Sequence, residues 1–283
     1  MSAPPVVGKF ILRIMTKKRT FISVFSLLIV GIMLVFSSGC KQDPVQARAT
    51  TYSLKVKDVL GVMGTATFTE TTSTVTTIDI SLSGAPAGMH PAQLCTNTVV
   101  EGGVAAVILN PVDANGKSST AITNMTYAQL IAYDGFIKVY KSDNEADVIL
   151  AQGDIGGNVI TTTNKTYQMG TIDAYGVSGS ALLEKRLNGN TLLTLTLTGV
   201  LAGDSYPATI NLGSIASVGG GPVVKTLADV NGTTGKSYTN IRTLNSGIAI
   251  TYDNWLVYDG YINVYQSTVL SGVVISHGNI GSN

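Results

Sequence analysis

The chain has 283 residues, with 18 Lys and Arg against 17 Asp and Glu, 2 His, 2 Cys and 31 Gly; it is 45% hydrophobic but only 12% charged. A typical domain carries about 25% charged residues, and this deficit argues against a coiled coil, a disordered polymer or a basic nucleic-acid binder. Two histidines and two cysteines are too few for a finger-type zinc cluster or a disulfide scaffold.

The N-terminus reads as an address. Lys17, Lys18 and Arg19 precede a 16-residue apolar run, Phe21–Phe36, which is followed by Ser37, Ser38, Gly39 and Cys40. A basic region, an apolar region and small residues before a cut site describe a secretory signal. The run falls short of the ~20 apolar residues of a spanning helix, and an uncleaved anchor is the alternative. Met15 opens a cleaner signal than Met1. Ser-Ser-Gly-Cys resembles the lipobox of bacterial lipoproteins, although Ser37 stands where Leu is common. The resemblance implies a signal peptide over 1–39, lipid on Cys40 and a tether over 40–50. Lys41, where an inner-membrane retention signal prefers Asp, points to an outer membrane lipoprotein on its periplasmic or surface face. Removing 1–39 leaves 13 bases against 17 acids, a net charge of −4. Such a surface does not attract nucleic acid or anionic lipid, so the membrane is reached through acyl chains, of which two or more anchor stably.

The remainder is one unit written twice. Thr51-Tyr52 recurs as Thr166-Tyr167, and Gly61-Val62 as Gly176-Val177. Tyr133–Ser142 matches Tyr258–Ser267 at seven of ten positions, and Gly153, Ile155, Gly156 and Asn158 return as Gly278, Ile280, Gly281 and Asn283. The spacing between copies grows only at glycine-rich stretches, as loop insertions in a shared scaffold would make it. Within each copy the apolar residues alternate: Ile78, Ile80 and Leu82, then Leu193, Leu195 and Leu197. Such alternation marks half-buried strands, and clusters such as Asp113–Gly116 and Asn231-Gly232 mark turns. Short helical pieces are expected near Thr126–Ile131 and Asp253–Val257. The predicted fold is all-β: two tandem antiparallel Greek-key β-sandwich domains after an N-terminal signal helix, over 51–158 and 166–283, with a linker over 159–165.

Three motifs recur in order, Pro91-Ala92 and Pro207-Ala208, Gly116-Lys117-Ser118 and Gly235-Lys236-Ser237, and the two Tyr-Asp-Gly segments, and Ala151-Gln152-Gly153-Asp154-Ile155-Gly156 follows them in the first copy. Their sequence resembles the CHRD domain family, which is related in layout to the copper-zinc superoxide dismutase sandwich. The family pattern places histidines after Pro-Ala and at the end of a later strand. Here those positions hold Gln93 and Cys95, Thr209 and Asn211, and Tyr140 and Tyr265. Hydroxyls and amides do not replace imidazoles, so no dismutase-type metal centre, catalytic residue or cofactor is expected.

His90 and Cys95 stand beside this region and are the candidate ligands of an alternative reading, a periplasmic or surface copper or zinc protein; a small buried Cys is the plainer account. Asp134 and Asp259 precede glycines and read as turn caps, with a calcium or substrate carboxylate, or an unnamed enzyme, as the other possibility. Gly219–Pro222 lacks the helix and Lys-Ser/Thr of a phosphate cradle. The main reading is a non-catalytic binding or structural module at the cell envelope, with a protein or glycan partner and no nucleic acid. Its contact residues are sought among Tyr127, Tyr140, Trp255, Tyr258, Tyr261 and Tyr265, with Tyr140, Trp255 and Tyr265 as candidates.

Overall fold

The structure is a computed structural model describing residues 47–172, 174–217, 220–270 and 272–283. The signal-like segment and Cys40 lie outside the described residues. Among the described residues no helix is long and apolar enough to cross a membrane.

The first copy forms one antiparallel eight-stranded sheet that folds back on itself. Its strands are β1 (Ala49–Val56), β2 (Met63–Thr72), β3 (Val75–Ser83), β4 (His90–Thr96), β5 (Ala105–Val112), β6 (Lys117–Ile122), β7 (Gly135–Ser142) and β8 (Glu145–Ile155), in the order β5-β4-β7-β8-β1-β2-β3-β6. β1 and β8 pair only at Lys55 opposite Gln152 and Val56 opposite Ala151. The sheet creases there into two layers, and the connections β3 to β4 and β6 to β7 cross between them in Greek-key fashion. At the other margin the edges meet through side chains: Thr120 Oγ1 accepts from the Asn110 amide at 2.9 Å and Ser118 Oγ donates to the Asn110 carbonyl at 2.6 Å.

The second copy repeats this plan with β9 (Ile160–Thr171), β10 (Ser178–Arg186), β11 (Thr191–Thr198), β12 (Ser205–Tyr206), β13 (Ala208–Leu212), β14 (Val223–Thr226), β15 (Val230–Asn231), β16 (Lys236–Ile241), β17 (Asp259–Tyr265) and β18 (Val274–Gly281). β12 and β13 together occupy the place of β4, interrupted at Pro207, which has no amide to give to a ladder. β14 and β15 likewise stand for β5. The crease lies where β18 pairs with β9 at Ser276 and His277.

Alternation along the strands places the cores as the sequence predicts. Ile78, Ile80 and Leu82 are buried among Leu54, Phe68, Leu94 and Ile137, and Leu193, Leu195 and Leu197 among Ile210, Trp255 and Ile262. The two cores are separate clusters. The expected helices are present and short: α1 (Tyr127–Ile131) and α2 (Tyr252–Trp255) each start in a capping box, Thr126 with Gln129 and Thr251 with Asn254. The Asp113 turn also forms as predicted. The Asp113 carboxylate accepts the amides of Asn115 and Lys117 at 2.9 Å each, and the Lys117 bond leads the interactions that hold its pKa below the usual carboxylate range.

The linker expected over 159–165 is a correction. Strand β9 begins at Ile160, opposite Arg186, and Asn164 pairs with Glu184. Only the 3-10 turn Gly156–Asn158 and Val159 separate β8 from β9. The run Thr161-Thr162-Thr163 followed by Asn164 and Lys165 passes for a polar connector in sequence, whereas β-branched residues suit an exposed strand.

The join is sealed by the β10–β11 hairpin. Leu187 and Asn188 donate backbone amides to the carbonyls of Val159 and Gly157 at 2.9 and 2.8 Å. Arg186, 0% exposed, pairs through Nη1 with Asp154 Oδ2 at 2.7 Å and with the Asn158 carbonyl, and through Nε with Asn240 Oδ1 at 2.9 Å. Asn188 Nδ2 donates to Asp134 Oδ1 at 2.8 Å, and Asn240 Nδ2 to Glu101 at 3.2 Å.

The Tyr-Asp-Gly repeat has a packing reason. A Cβ on Gly135 would stand 2.6 Å from both the Cys95 carbonyl and the Tyr133 ring, and one on Gly260 would stand 2.8 Å from the Tyr258 ring. Gly135→Ala is therefore expected to destabilise the first sandwich by about 1–3 kcal/mol as the backbone shifts to admit the methyl. Thermal melts check this; an unchanged melting temperature would mean the close approach is not needed.

Candidate functional site

The positions where the resemblance would place histidines come together within each copy. On β4, Ala92 and Leu94 face the core, so Gln93 and Cys95 face outward. Gln93 lies opposite Lys138 of β7, which in turn lies opposite Gln152 of β8. Tyr140 hydroxyl donates to Gln93 Oε1 at 3.2 Å, and Cys95 Sγ stands 3.9 Å from the same oxygen. Lys138 Nζ lies 5.3 Å from the Phe136 ring centre and 5.5 Å from that of Tyr140, within cation–π range.

The second copy builds the equivalent cluster from different groups. Thr209 Oγ1 donates to Asn211 Oδ1 at 2.6 Å and lies 3.1 Å from the Tyr265 hydroxyl. Asn263 and His277 continue the row across β17 and β18. A loop closes over one end of this face: Gly221 donates its amide to the Tyr261 hydroxyl at 2.8 Å and accepts from Asn211 at 2.9 Å. In the first copy the corresponding loop is held by Asp154 Oδ1, which accepts the Val99 amide at 2.7 Å. Phe136 and Cys95 are fully buried outside the main core.

A shallow open groove of about 200 Å³ adjoins the first cluster, lined by Pro91, Gln93, Tyr140, Ser142, Asp143 and Ala146. Among the described residues no three His, Cys, Asp or Glu side chains gather as a metal-holding group.

The candidate ligands His90 and Cys95 are not brought together. His90 shares the inward parity of Ala92 and Leu94, while Cys95 points outward. The His90 ring is buried, with Nδ1 2.6 Å from the Lys141 carbonyl and Nε2 2.9 Å from the Pro86 carbonyl. Both nitrogens therefore face backbone oxygens, and a metal would have to displace one of them. Burial pushes the Cys95 thiol pKa up, against a smaller opposite pull from Lys138. In a Cys40→Ser chain, Ellman's reagent at pH 8 is expected to find no reactive thiol before unfolding; rapid stoichiometric reaction of the folded chain would place Cys95 at the surface.

Of the six aromatic candidates, Tyr127, Trp255 and Tyr261 are buried. Trp255, 0% exposed, packs in the second core against Tyr258 with ring centres 4.8 Å apart, and is corrected from contact residue to core residue. Its place in a four-residue helix seated on the sheet explains the difference. Tyr140 and Tyr265 are half-buried and face outward. His277 is half-buried on the same outward face as Asn263. Asp134 and Asp259 receive side-chain amides, from Asn188 and from Asn283, rather than capping backbone amides. The Arg186 cluster escapes sequence reasoning; the available signal is that Arg186 has Thr71 as its counterpart in an otherwise repeated strand pair.

Comparison with known protein families finds no family that matches the chain, and no curated protein is similar to it.

Proposed function

We propose that this chain is a lipid-anchored protein of the bacterial cell envelope, held in the outer membrane through Cys40, whose two CHRD-like sandwiches act as a non-catalytic binding or structural module. The observation that carries the reading is the chemistry of the two outward clusters. Both put a tyrosine beside hydroxyl and amide groups, Gln93 with Tyr140 and Thr209 with Asn211 and Tyr265. Hydroxyls and amides both donate and accept hydrogen bonds, which suits recognition of a polar partner. The basic and apolar leader ending in Ser-Ser-Gly-Cys supports the anchor.

Two measurements test this. Cells fed a labelled fatty acid are expected to label the parent chain, and Cys40→Ser is expected to abolish both the label and outer-membrane fractionation. An unlabelled parent, or a variant that still fractionates with the membrane, overturns the anchor. Photo-crosslinking residues at positions 140 and 265 in living cells are expected to give discrete adducts with envelope components. Adducts from neither position would remove the binding role.

A further inference from the structure

We infer that the groove beside Tyr140 is a glycan-binding subsite that takes one neutral sugar ring. The inference rests on the binding-module reading above and adds the class of ligand. A pyranose offers flat faces of C–H groups and a rim of hydroxyls, each both donor and acceptor. The groove matches both features. Pro91 and the Tyr140 ring supply flat hydrocarbon surface, and the Tyr140 ring is fixed by its hydroxyl bond to Gln93 Oε1. That bond uses the amide oxygen of Gln93 and leaves both Nε2 hydrogens for a ligand. Ser142 adds a hydroxyl and Asp143 a carboxylate at the rim. Of the neighbouring cations, Lys141 is engaged by Glu145 at 2.7 Å and not by Asp143, and Lys138 lies 5.5 Å from the centre of the Tyr140 ring. One rim thus offers donors, an acceptor and a group that does both.

Size and charge narrow the class. The groove, about 200 Å³, is smaller than the ~300–1,000 Å³ of pockets for drug-sized ligands, and fits one ring of a longer chain whose other rings stay in solvent. Asp143 disfavours acidic sugars by like-charge repulsion. In the second copy Thr209 replaces Gln93 and is bonded to Asn211 and Tyr265, and Ser267, the counterpart of Ser142, accepts the Leu270 amide. The Thr209 hydroxyl hydrogen that stands for the open Gln93 donors is spent on Asn211, and the Ser267 oxygen already serves as an acceptor, so one site per chain is expected.

The test titrates the full chain, in a detergent without sugar headgroups, with cellohexaose, N-acetylchitohexaose and hexagalacturonate, followed by calorimetry and tyrosine fluorescence. At least one neutral oligomer is expected to bind at about one per chain with a Kd on the order of a millimolar, as befits a site of few contacts. Gln93→Ala and Tyr140→Ala should each weaken it at least about tenfold, and Tyr238→Ala, at an exposed position of β16, less than about twofold. Hexagalacturonate should bind more weakly than the neutral oligomers and gain on Asp143→Asn. Ser142→Ala, at the half-buried end of β7, and Asp143→Asn, in the exposed turn that follows, keep the test open if Tyr140→Ala does not fold. Absence of binding by both neutral oligomers, or binding unchanged in Gln93→Ala and Ser142→Ala, overturns the inference. If crosslinks from position 140 then go to a protein, the glycan assignment alone falls; if neither glycan nor crosslink is found, the binding-module reading falls with it.

Discussion

Replacing Arg186 by Met is expected to cost about 3–5 kcal/mol, because it strips the partner from the partly buried Asp154 carboxylate and leaves that charge in place. The guanidinium is wholly enclosed and joins Asp154 and Asn158 of the first copy to Asn240 of the second. Its Nη2 makes no hydrogen bond among the described residues, so the group is already incompletely satisfied and removing it relieves that one penalty. The chain has a single tryptophan, Trp255, in the second core, and its fluorescence reports that half alone while far-UV circular dichroism reports both. In the parent the two signals should fall together in denaturant. In Arg186→Met they should separate, since the join between the sandwiches is what links their unfolding. Asp154→Asn is the informative companion: it keeps an oxygen for the Val99 amide, as Asn279 does for Ile215 at 2.9 Å, and removes only the charge facing Arg186. Coincident transitions in Arg186→Met with a loss below about 1 kcal/mol would show that the cluster does not couple the halves.

Trp255→Ala should cost a similar amount, about 3–5 kcal/mol, by opening a large cavity in the second core. The indole Nε1 has no hydrogen-bond partner among the described residues, so the loss is one of packing, and Trp255→Phe should recover much of it. The first core, a separate cluster, should feel the change only through the Arg186 join. Tyr265→Ala, at a half-buried outward position, should cost far less. Should Trp255→Ala melt like the parent, the ring would not be where the core needs it.

Strand placement was legible because alternation is a local signal: Ile78-Asp79-Ile80 and Leu193-Thr194-Leu195 declare their buried face within three residues. The duplication made it stronger, since loops drift while the packed Tyr-Asp-Gly glycines cannot. The site was legible in part. Gln93, Cys95 and Tyr140 were singled out through a family resemblance, but their contact depends on β4 and β7 pairing across 47 residues of chain, which no local pattern encodes. The same long range hid the Arg186 join. Trp255 was misjudged because a lone aromatic near a turn gives no periodicity by which to tell core from surface. His90 and Cys95 looked like neighbours because five residues is a short distance in sequence; on a strand, an odd spacing puts two side chains on opposite faces.

The join between the copies is asymmetric: a hairpin of one enters a notch of the other. The matching notch of the second copy is built to the same pattern, with Asn283 Nδ2 donating to the carbonyls of Gly213 and Gly260 as Asn158 donates to those of Asn97 and Gly135. An interface of this head-to-tail kind can propagate without end when both of its halves are exposed. Here neither half survives in usable form. Asn279 stands where Asp154 supplies the charge, and Thr71 stands where Arg186 supplies the cation. A second chain finds no counterpart of Arg186 to receive and no counterpart of Asp154 to pair with it, so the charged pair that seals the join within one chain is not repeated at its free ends.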